Sequence, residues 1–350
     1  MPSNFTPTPA LPHQGGGRKN LQGGRQVKDP AVVGIDLGGT NVRLALVSPT
    51  GKILSRREWP TASMPDQAAL VAGLAADLTR AGEAAWESGW EIKAGGMGVP
   101  GRVLPREGRV VFSPNVPALN DCHLVERLAP LVNWPLFLEN DANLFALGEH
   151  WLGAGMGHEN MLGITLGTGV GGGLILNGRL WTGAQGTSGE IGHMTVDPEG
   201  RKCHCGNRGC LETMASAFWT VAWVKEQLAQ QASSWLGDLY AADHEAIQGQ
   251  TLVAAALHGD PLARRAFDRV GRSLGQAIAA VVHLLGVSRV VIGGRFARAW
   301  EVFQSPLHEE LHRRLTLFPP EAVSVCPAQL GDDAGLVGAA RLAWQALEAK

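Results

Sequence analysis

The sequence predicts an α/β protein made of two similar halves that face each other. Residues 34–40 (GIDLGGT) and 163–169 (GITLGTG) share Gly, Ile, Leu and Gly at matching places, and the two segments start 129 residues apart. Each lies between two short apolar runs, a pattern typical of two strands joined by a Gly/Thr hairpin. Stretches with helical apolar spacing separate the strand-like runs. On this pattern alone, two unrelated glycine hairpins are the alternative interpretation.

The first half starts with a predicted three-stranded meander, because three apolar runs are separated by a glycine hairpin and by a Pro-Thr-Gly turn. In the helix that follows, Leu70, Leu74 and Leu78 share one face. The predicted elements are strands at residues 31–37, 42–47 and 53–59, a helix at 67–85, strands at 95–99 and 135–139, and a helix at 141–151.

The second half continues after its own hairpin with a mostly helical region. The predicted elements are a turn at residues 177–178, helices within 212–285, a strand at 288–292 and a final helix at about 333–347. A length of 350 residues favours two domains. We expect a smaller α/β domain of residues 31–141 with 334–350, and a larger one of residues 142–333.

Composition excludes several classes of partner. Residues 1–29 are rich in Pro, Gly, Gln and Asn without apolar periodicity, which predicts a disordered extension. A net charge of −2 with 18% charged residues does not favour nucleic-acid binding. No apolar run reaches membrane-spanning length, and no secretory signal precedes the first strand. We therefore expect a soluble cytoplasmic protein with neither nucleic acid nor membrane as partner.

A cysteine cluster predicts a structural zinc site. Cys203, Cys205 and Cys210 follow His193 closely, and three thiolates with one imidazole form a closed tetrahedral Zn²⁺ site. A disulfide is disfavoured because Cys203 and Cys205 are too close to pair, and the two C-x-x-C pairs of a zinc ribbon are absent. His204 lies between two ligands, so we expect it to point away from the metal and to be exposed.

Two carboxylates flank these ligands. Glu190 stands three residues before His193, and Glu212 stands two residues after Cys210. Closing the metal loop would bring the two acids together. The segment of residues 189–212, called the zinc segment below, is therefore expected to form one wall of a polar ligand site.

The two Gly/Thr hairpins predict a nucleotide site. Backbone N–H groups and Thr hydroxyls approach a polyphosphate only where no Cβ obstructs them. Asp36, at the end of its strand, is suited to hold Mg²⁺ through water. Gly293 and Gly294 follow a buried strand and are suited to pack against an adenine. Each glycine pair alone is an ordinary turn, but together they favour a nucleotide in a cleft between domains.

Polar residues at a strand-to-helix junction supply a candidate general base. Residues 139–143 read Glu-Asn-Asp-Ala-Asn after an apolar run. Asp141 is either a carboxylate that accepts a hydroxyl proton during phosphoryl transfer or simply the N-cap of the helix, and spacing favours neither. Asn140, which has both donor and acceptor groups, suits a sugar hydroxyl.

These motifs, taken in order, resemble those of the ROK family of sugar kinases and sugar-responsive repressors. The resemblance spans about residues 31–343, and the zinc segment is its most specific part. It implies the duplicated actin-like ATPase (ribonuclease H-like) fold, with two domains around a cleft. The matching segments are residues 34–41, 98–101, 113–115, 139–143, 166–173 and the zinc segment.

The resemblance also implies roles for individual positions. Asp141 corresponds to the catalytic base, and His193 serves the zinc through one ring nitrogen and the sugar through the other. The implied sugar-binding set is Gly101, Arg102, Asn115, Asn140, Asp141, Glu190, His193 and Glu212. The implied set for ATP with Mg²⁺ is Asp36, Gly38, Gly39, Thr40, Asn41, Gly167, Thr168, Gly169, Gly293 and Gly294. Arg295 departs from the family's adenosine motif, which often has a third glycine there.

The family contains both enzymes and repressors, so the resemblance leaves a choice. The repressors carry a winged-helix domain before the kinase-like body, whereas about 30 residues precede the first predicted strand here. With Asp141 present, the sequence favours a hexose kinase that phosphorylates the 6-hydroxyl of glucose. Residues 139–143 and 186–193 are most similar to bacterial glucokinases, while residues 115–118 are also similar to N-acetylglucosamine kinases. An N-acetylglucosamine or N-acetylmannosamine kinase and a sugar-sensing regulator without a DNA-binding domain are the alternatives, and the family's habit predicts a homodimer or homotetramer.

Overall fold

The computed structural model describes residues 28–317 and 319–349. Residues 1–27 of the predicted disordered extension lie outside this range. The first strand begins at Asp29, two residues before the start expected from the apolar run at Ala31. Within the described ranges, no helix is long and apolar enough to cross a membrane.

The first half of the chain forms a mixed five-stranded sheet in the order β3-β2-β1-β4-β7. Strands β3, β2 and β1 form the predicted antiparallel meander, whereas β1, β4 and β7 are parallel. Its strands are β1 (Asp29–Leu37), β2 (Asn41–Val47), β3 (Ile53–Pro60), β4 (Trp90–Val99) and β7 (Leu136–Asn140). Strands β5 (Arg102–Leu104) and β6 (Arg109–Phe112) form a separate two-stranded hairpin, which lies between β4 and β7 in the chain but outside their sheet.

The second half repeats the same plan, with five strands in the order β10-β9-β8-β11-β12. Again three strands form an antiparallel meander and three are parallel, so the predicted pair of similar α/β halves is confirmed. Its strands are β8 (Met161–Leu166), β9 (Val170–Leu176), β10 (Arg179–Trp181), β11 (Arg289–Gly293) and β12 (Ser324–Pro327). Each of the two predicted Gly/Thr hairpins joins the first two strands of its sheet.

Ten α-helices cover the sheets in the described part of the chain. In chain order they are α1 (Gln67–Glu87), α2 (Leu124–Leu128), α3 (Asp141–Leu152), α4 (Glu212–Ala215), α5 (Ala217–Ala229), α6 (Leu236–Ala242), α7 (Gly249–Leu257), α8 (Pro261–Leu285), α9 (Trp300–Arg314) and α10 (Ala334–Glu348). The longest, α8, begins at the N-cap Asp260 with a proline in its first turn, and it buries a continuous apolar face against the second sheet and α9.

Helices α3 and α10 approach each other closely because glycines line their contact. A Cβ at Gly148 would overlap the carbonyl oxygen of Ala334, and one at Gly338 would overlap that of Leu144. Helix α10 also packs on the first sheet, where a Cβ at Gly96 of β4 would overlap the Ala339 carbonyl oxygen. The C-terminal helix therefore returns to the first sheet, as expected for residues 334–350. The exact division into domains stays a prediction.

The sequence analysis did not predict the β5–β6 hairpin, the short helix α2, helix α9 or strand β12. The β5–β6 hairpin and β12 are short, and β12 is an edge strand that ends in Pro327. Helix α9 contains Pro306 within its second turn, a residue that normally ends a helix. Pro306 is buried against Gly271 of α8, where an added Cβ would lie 2.9 Å from the proline ring.

Candidate active site

A cleft of about 1310 Å³ lies where the ends of the strands of both sheets converge. It brings together residues predicted for the sugar, for the phosphates and for the metal. The predicted residues that line it are Gly101, Arg102, Asn115, Asn140, Asp141, Gly167, Thr168, Gly169, Glu190, His193, Cys205, Glu212 and Gly294. The lining does not include the predicted residues Asp36, Gly38, Gly39, Thr40, Asn41, Gly293, Cys203 and Cys210.

Asp141 is the first residue of α3, and the N-cap of that helix is its neighbour Asn140. The Asn140 Oδ1 atom accepts hydrogen bonds from the backbone N–H groups of Ala142 at 2.9 Å and of Asn143 at 3.3 Å. The interpretation of Asp141 as a simple N-cap is therefore wrong, because another side chain already performs that task. The Asp141 carboxylate accepts a hydrogen bond from the N–H of Ala142 at 2.9 Å and lines the cleft.

The surroundings of Asp141 favour its protonated form. Burial, joined by the charges of the nearby Asp36 and Glu190 carboxylates, raises the pKa of Asp141 to about 7, although backbone N–H groups act to lower it. A carboxyl group with a pKa near 7 is matched to general base catalysis at neutral pH. This environment also requires that the negative charges of Asp36 and Asp141 be compensated when both are ionised.

Asn140 uses most of its amide within the protein. Its Nδ2 atom donates to the carbonyl oxygen of Gly101 at 3.0 Å, while its Oδ1 atom caps α3. This bond ties the end of β7 to the turn after β4, where Gly101 has a φ of 101° that favours glycine. One Nδ2 hydrogen remains for a ligand, so Asn140 positions the turn as well as lining the cleft.

Asp36 lies at the carboxyl end of β1, beside the cleft rather than in its lining. Burial raises the pKa of Asp36, and the guanidinium of Arg43, 3.6 Å away, lowers it. Arg43 is itself held by the carbonyl oxygen of Asp332 and by Glu58. Because Asp36 and Asp141 interact as like charges, the donor set fits a divalent cation held between protein carboxylates and phosphate oxygens.

The first Gly/Thr hairpin, residues 38–40, is predicted to bind phosphate and is called the first phosphate hairpin below; it is held by Asn41 of β2 and by Thr61 in the turn after β3. Gly38 N–H donates to the Asn41 carbonyl oxygen, and the Thr61 hydroxyl donates to the Gly38 carbonyl oxygen at 2.7 Å. Gly39 lies against Asn115, and a Cβ there would lie 3.2 Å from the Asn115 backbone oxygen. The hairpin thus adjoins the sugar-side residue Asn115. The Asn41 side chain, in contrast, donates to Glu58 at 2.7 Å.

The second phosphate hairpin, residues 167–169, turns tightly between β8 and β9. Gly167 N–H donates to the Gly169 carbonyl oxygen at 3.0 Å, and the exposed Thr168 stands at its tip. Gly294, with a φ of 93°, packs directly on the backbone of Leu166. Gly293 is buried against Phe145, so of the glycine pair only Gly294 faces the cleft.

The four predicted metal ligands converge. One ligand atom from each of His193, Cys203, Cys205 and Cys210 lies within 4.8 Å of the other three. The Cys205 and Cys210 sulfurs are 3.7 Å apart, and the Cys203 sulfur is 3.8 Å from His193 Nδ1. A tetrahedral site with Zn–S bonds of about 2.3 Å has edges of about 3.8 Å, so the spacing fits zinc.

The chemistry of the cluster also fits a metal. Burial and the neighbouring sulfurs raise the pKa of Cys210 to about 12, so three thiolates at this spacing require a cation to stabilise them. His193 turns Nδ1 towards the sulfurs while the residue lines the cleft. Its Nε2 atom, on the opposite side of the ring, is therefore available to a ligand.

Glu190 and Glu212 lie on the same wall, as their positions around the metal loop predicted. Burial raises the pKa of Glu190, His193 lowers it, and the charge of Glu212 raises it. Glu212 Oε2 accepts a hydrogen bond from the Val170 N–H at 3.0 Å, immediately after the second phosphate hairpin. Glu212, the last residue of the zinc segment, thus contacts the start of β9 directly after the second Gly/Thr hairpin.

An aromatic group on the same wall was not predicted. The ring of His204 lies 5.3 Å from that of Phe218 and 5.1 Å from that of Trp219, and all three residues line the cleft. His204 is exposed, as expected, but it packs on α5. In the sequence, the two adjacent aromatic residues Phe218 and Trp219 were the only sign of this group. Helical spacing does not show that the first turn of α5 faces the cleft.

The comparisons with known proteins agree with this geometry. The model of the ROK family matches residues 32–346. The glucokinase of Thermotoga maritima is 37% identical over 89% of this chain and 96% of its own. The N-acetylglucosamine repressor of Escherichia coli is 30% identical over 82% of this chain and 69% of its own. The chain therefore belongs to the ROK family.

Solved structures of the family have the same fold. A ROK hexokinase from Thermus thermophilus superimposes with a TM-score of 0.78 at 33% identity, covering 91% of this chain and all of that one. A ROK glucokinase from Streptomyces griseus, in complex with glucose and AMPPNP, gives a TM-score of 0.74 at 34% identity, covering 90% and 99%. These matches confirm the predicted actin-like fold, and the chain is glucokinase-like along most of its length.

Proposed function

We propose that this protein is an ATP-dependent hexose kinase that phosphorylates the 6-hydroxyl of glucose. The observation that carries the proposal is the position of Asp141, a carboxylate with a pKa of about 7 in a cleft bounded by the second phosphate hairpin and the zinc segment. A base poised near neutral pH beside a phosphate site suits transfer to a hydroxyl. The similarity to glucokinases supports glucose as the sugar.

In the proposed reaction, Asp141 accepts the proton of the 6-hydroxyl as the hydroxyl oxygen bonds to the γ-phosphorus. The bond between that phosphorus and the bridging oxygen of ADP breaks in line. Glu190, Glu212 and the Nε2 atom of His193 orient the sugar from the opposite wall, and Asn115 contacts it beside the first hairpin. Holding the acceptor and donor in line supplies much of the rate enhancement.

Mg²⁺ would be held by Asp36, either directly or through water, and by the phosphate oxygens of ATP. When bound, it neutralises charge on the transferring phosphoryl group. Backbone N–H groups of the two hairpins accommodate the remaining phosphate oxygens, since their glycines leave that surface open. Zinc, in this proposal, performs no chemistry and fixes the segment that presents Glu190, His193 and Glu212.

An assay of sugar phosphate formation, the product common to both donors, tests the function. Glucose, mannose, N-acetylglucosamine and N-acetylmannosamine are each tested with ATP and with polyphosphate. We expect phosphorylation of glucose with ATP, at the highest kcat/KM of the set. A higher kcat/KM for either N-acetylhexosamine would replace glucose as the substrate. Sugar binding without phosphorylation of any of the four would favour a sugar-sensing regulator and overturn the proposal.

A further inference from the structure

The second phosphate hairpin is held at both ends by the chain that directly follows the zinc ligands. At one end, the Val170 N–H donates to Glu212 Oε2 at 3.0 Å. At the other end, the N–H of Ala217 donates to the Gly167 carbonyl oxygen at 2.9 Å. Glu212 is the first residue of α4 and Ala217 the first of α5. The two anchors are thus only five positions apart in the chain.

The Glu212 carboxylate fills the space beneath the hairpin. A Cβ at Gly169 would lie 2.5 Å from Glu212 Oε2, so a side chain at this position would displace the carboxylate. The other carboxylate oxygen, Oε1, lies 3.9 Å from the sulfur of Cys203. Since Glu212 also lines the cleft, one side chain adjoins the phosphate hairpin, a zinc ligand and the space for the acceptor.

We propose that Glu212 is a positioning residue for the donor phosphates and couples acceptor binding to nucleotide binding. A hydroxyl that donates to Oε1 restrains the carboxylate, and the restrained carboxylate holds the Val170 N–H and the hairpin in one arrangement. Such a coupling is reciprocal, so each ligand raises the affinity for the other by the same factor. The inference rests on the proposed function only in taking a sugar and a nucleotide as the two ligands.

The test measures the Kd of a non-hydrolysable ATP analogue with Mg²⁺ by calorimetry, with and without saturating glucose. In the wild-type protein we expect glucose to lower this Kd by about 5-fold or more. In Glu212→Ala we expect a weaker nucleotide Kd without glucose and a glucose effect below about 2-fold. A wild-type protein without the glucose effect, or a variant that retains it, overturns the inference.

Glu190→Ala is the matched control. Glu190 lines the same wall, but in the described part of the chain no hydrogen bond joins its side chain to the hairpin. We expect this variant to bind glucose more weakly yet to retain the full glucose effect once glucose is saturating. If both variants lose the effect equally, general damage to the wall explains it and the role assigned to Glu212 is wrong.

Ala217→Pro tests the second anchor without altering a carboxylate. Proline is favoured at the first position of a helix, and the preceding Ser216 already has the extended backbone that proline requires, with φ −79° and ψ 155°. The substitution removes the N–H that holds Gly167. We expect a weaker nucleotide Kd with unchanged glucose affinity and zinc content. This variant also decides the question if Glu212→Ala loses its zinc, since an unchanged nucleotide Kd would overturn the inference.

The binding experiment and the function assay can fail independently, because the binding experiment measures Kd values and involves no phosphoryl transfer. Phosphorylation of glucose without coupling in the binding experiment would leave the proposed function intact and remove the inference. Coupling without phosphorylation would remove the proposed function and retain the inference.

Discussion

Asp141 and Asn140 divide two tasks between adjacent side chains at the start of α3. Asn140 caps the helix, which leaves the Asp141 carboxylate free to face the cleft. An acidic side chain at the first turn of a helix is also favoured by the helix dipole, which offsets part of the cost of burying it. Burial nevertheless dominates, since the pKa of Asp141 is raised to about 7.

Asp141→Asn tests the base directly. The amide is nearly isosteric but cannot accept the hydroxyl proton, so we expect kcat to fall by about 10²–10⁴-fold. Sugar affinity should change little, because the amide retains an oxygen acceptor. Steady-state kinetics and calorimetry measure the two quantities. A variant with near-normal kcat would remove Asp141 from the mechanism.

The raised pKa of Asp141 predicts opposite pH dependences for activity and stability. The base must be ionised, so kcat/KM should fall as the pH drops below about 7. In the folded protein the protonated form is favoured, so its contribution to stability is fully present below 3.8, the usual pKa, and is lost as the pH rises through about 7. Asp141→Asn should therefore gain stability relative to the wild type at pH 8 but not at pH 3.5, as measured by urea unfolding. An equal difference at both pH values would contradict this assignment.

At the scale of elements, the zinc segment forms one wall of the cleft, because its closely spaced metal ligands fold the chain around one point. Its ligands surround one point, and its two glutamates face the cleft on the same side. A metal bound there would stabilise a segment that contains little regular secondary structure, since between β10 and α4 it has only the short 3₁₀ turn Ile191–His193.

Cys205→Ser should remove the zinc and weaken sugar binding together. Loss of one thiolate opens the tetrahedral site, and the segment that presents His193 and Glu212 is no longer held. We expect a lower melting temperature and a sugar Kd raised by about 10-fold or more. Metal analysis, thermal unfolding and calorimetry measure these effects. Cys326→Ala, a half-buried thiol away from the cluster, is the control and should retain the zinc. Loss of zinc without a change in sugar Kd would show that the metal does not support the sugar site.

At the scale of the whole molecule, α10 brings the end of the chain back to the first sheet and packs it against α3. Gly338 and Gly148 allow the backbones of these two helices to approach each other. Because α3 starts at Asp141 and also packs on β8 and β9 of the second sheet, this contact positions Asp141, the proposed base, relative to that sheet. The oligomeric state stays a prediction, with a dimer or tetramer expected.

A pair of Gly→Ala variants tests the close packing of α10. At Gly338 the added methyl group would overlap the Leu144 carbonyl, so we expect the free energy of unfolding to fall by about 1–3 kcal/mol or more. At Gly82, in the middle of α1, a Cβ would have no neighbour within 4 Å. There alanine should raise stability by about 0.5–1 kcal/mol, because it loses less backbone entropy in a helix. Denaturant unfolding measures both, and effects of the same sign would contradict the packing argument.

Features that depend on short stretches of chain could be predicted from the amino-acid sequence. The four metal ligands lie within 18 residues of one another, so their order and spacing were enough to predict the cluster. The Gly/Thr hairpins, the start of α3 and the likeness of the two halves were equally visible, because each follows from strand and turn patterns of a few residues.

The tertiary structure alone decided which residues share a surface across distant segments. Three interactions join residues that no local sequence pattern relates. They are the effect of the Asp36 charge on the pKa of Asp141, the hydrogen bond from the Val170 N–H to Glu212, and the aromatic contact of His204 with α5. Only the tertiary structure shows that Asn140 is the N-cap and that Asp141 faces the cleft, because either side chain is a good N-cap in isolation. The physical reason is that strand pairing and burial, not sequence spacing, set these distances and the charges that each carboxylate meets.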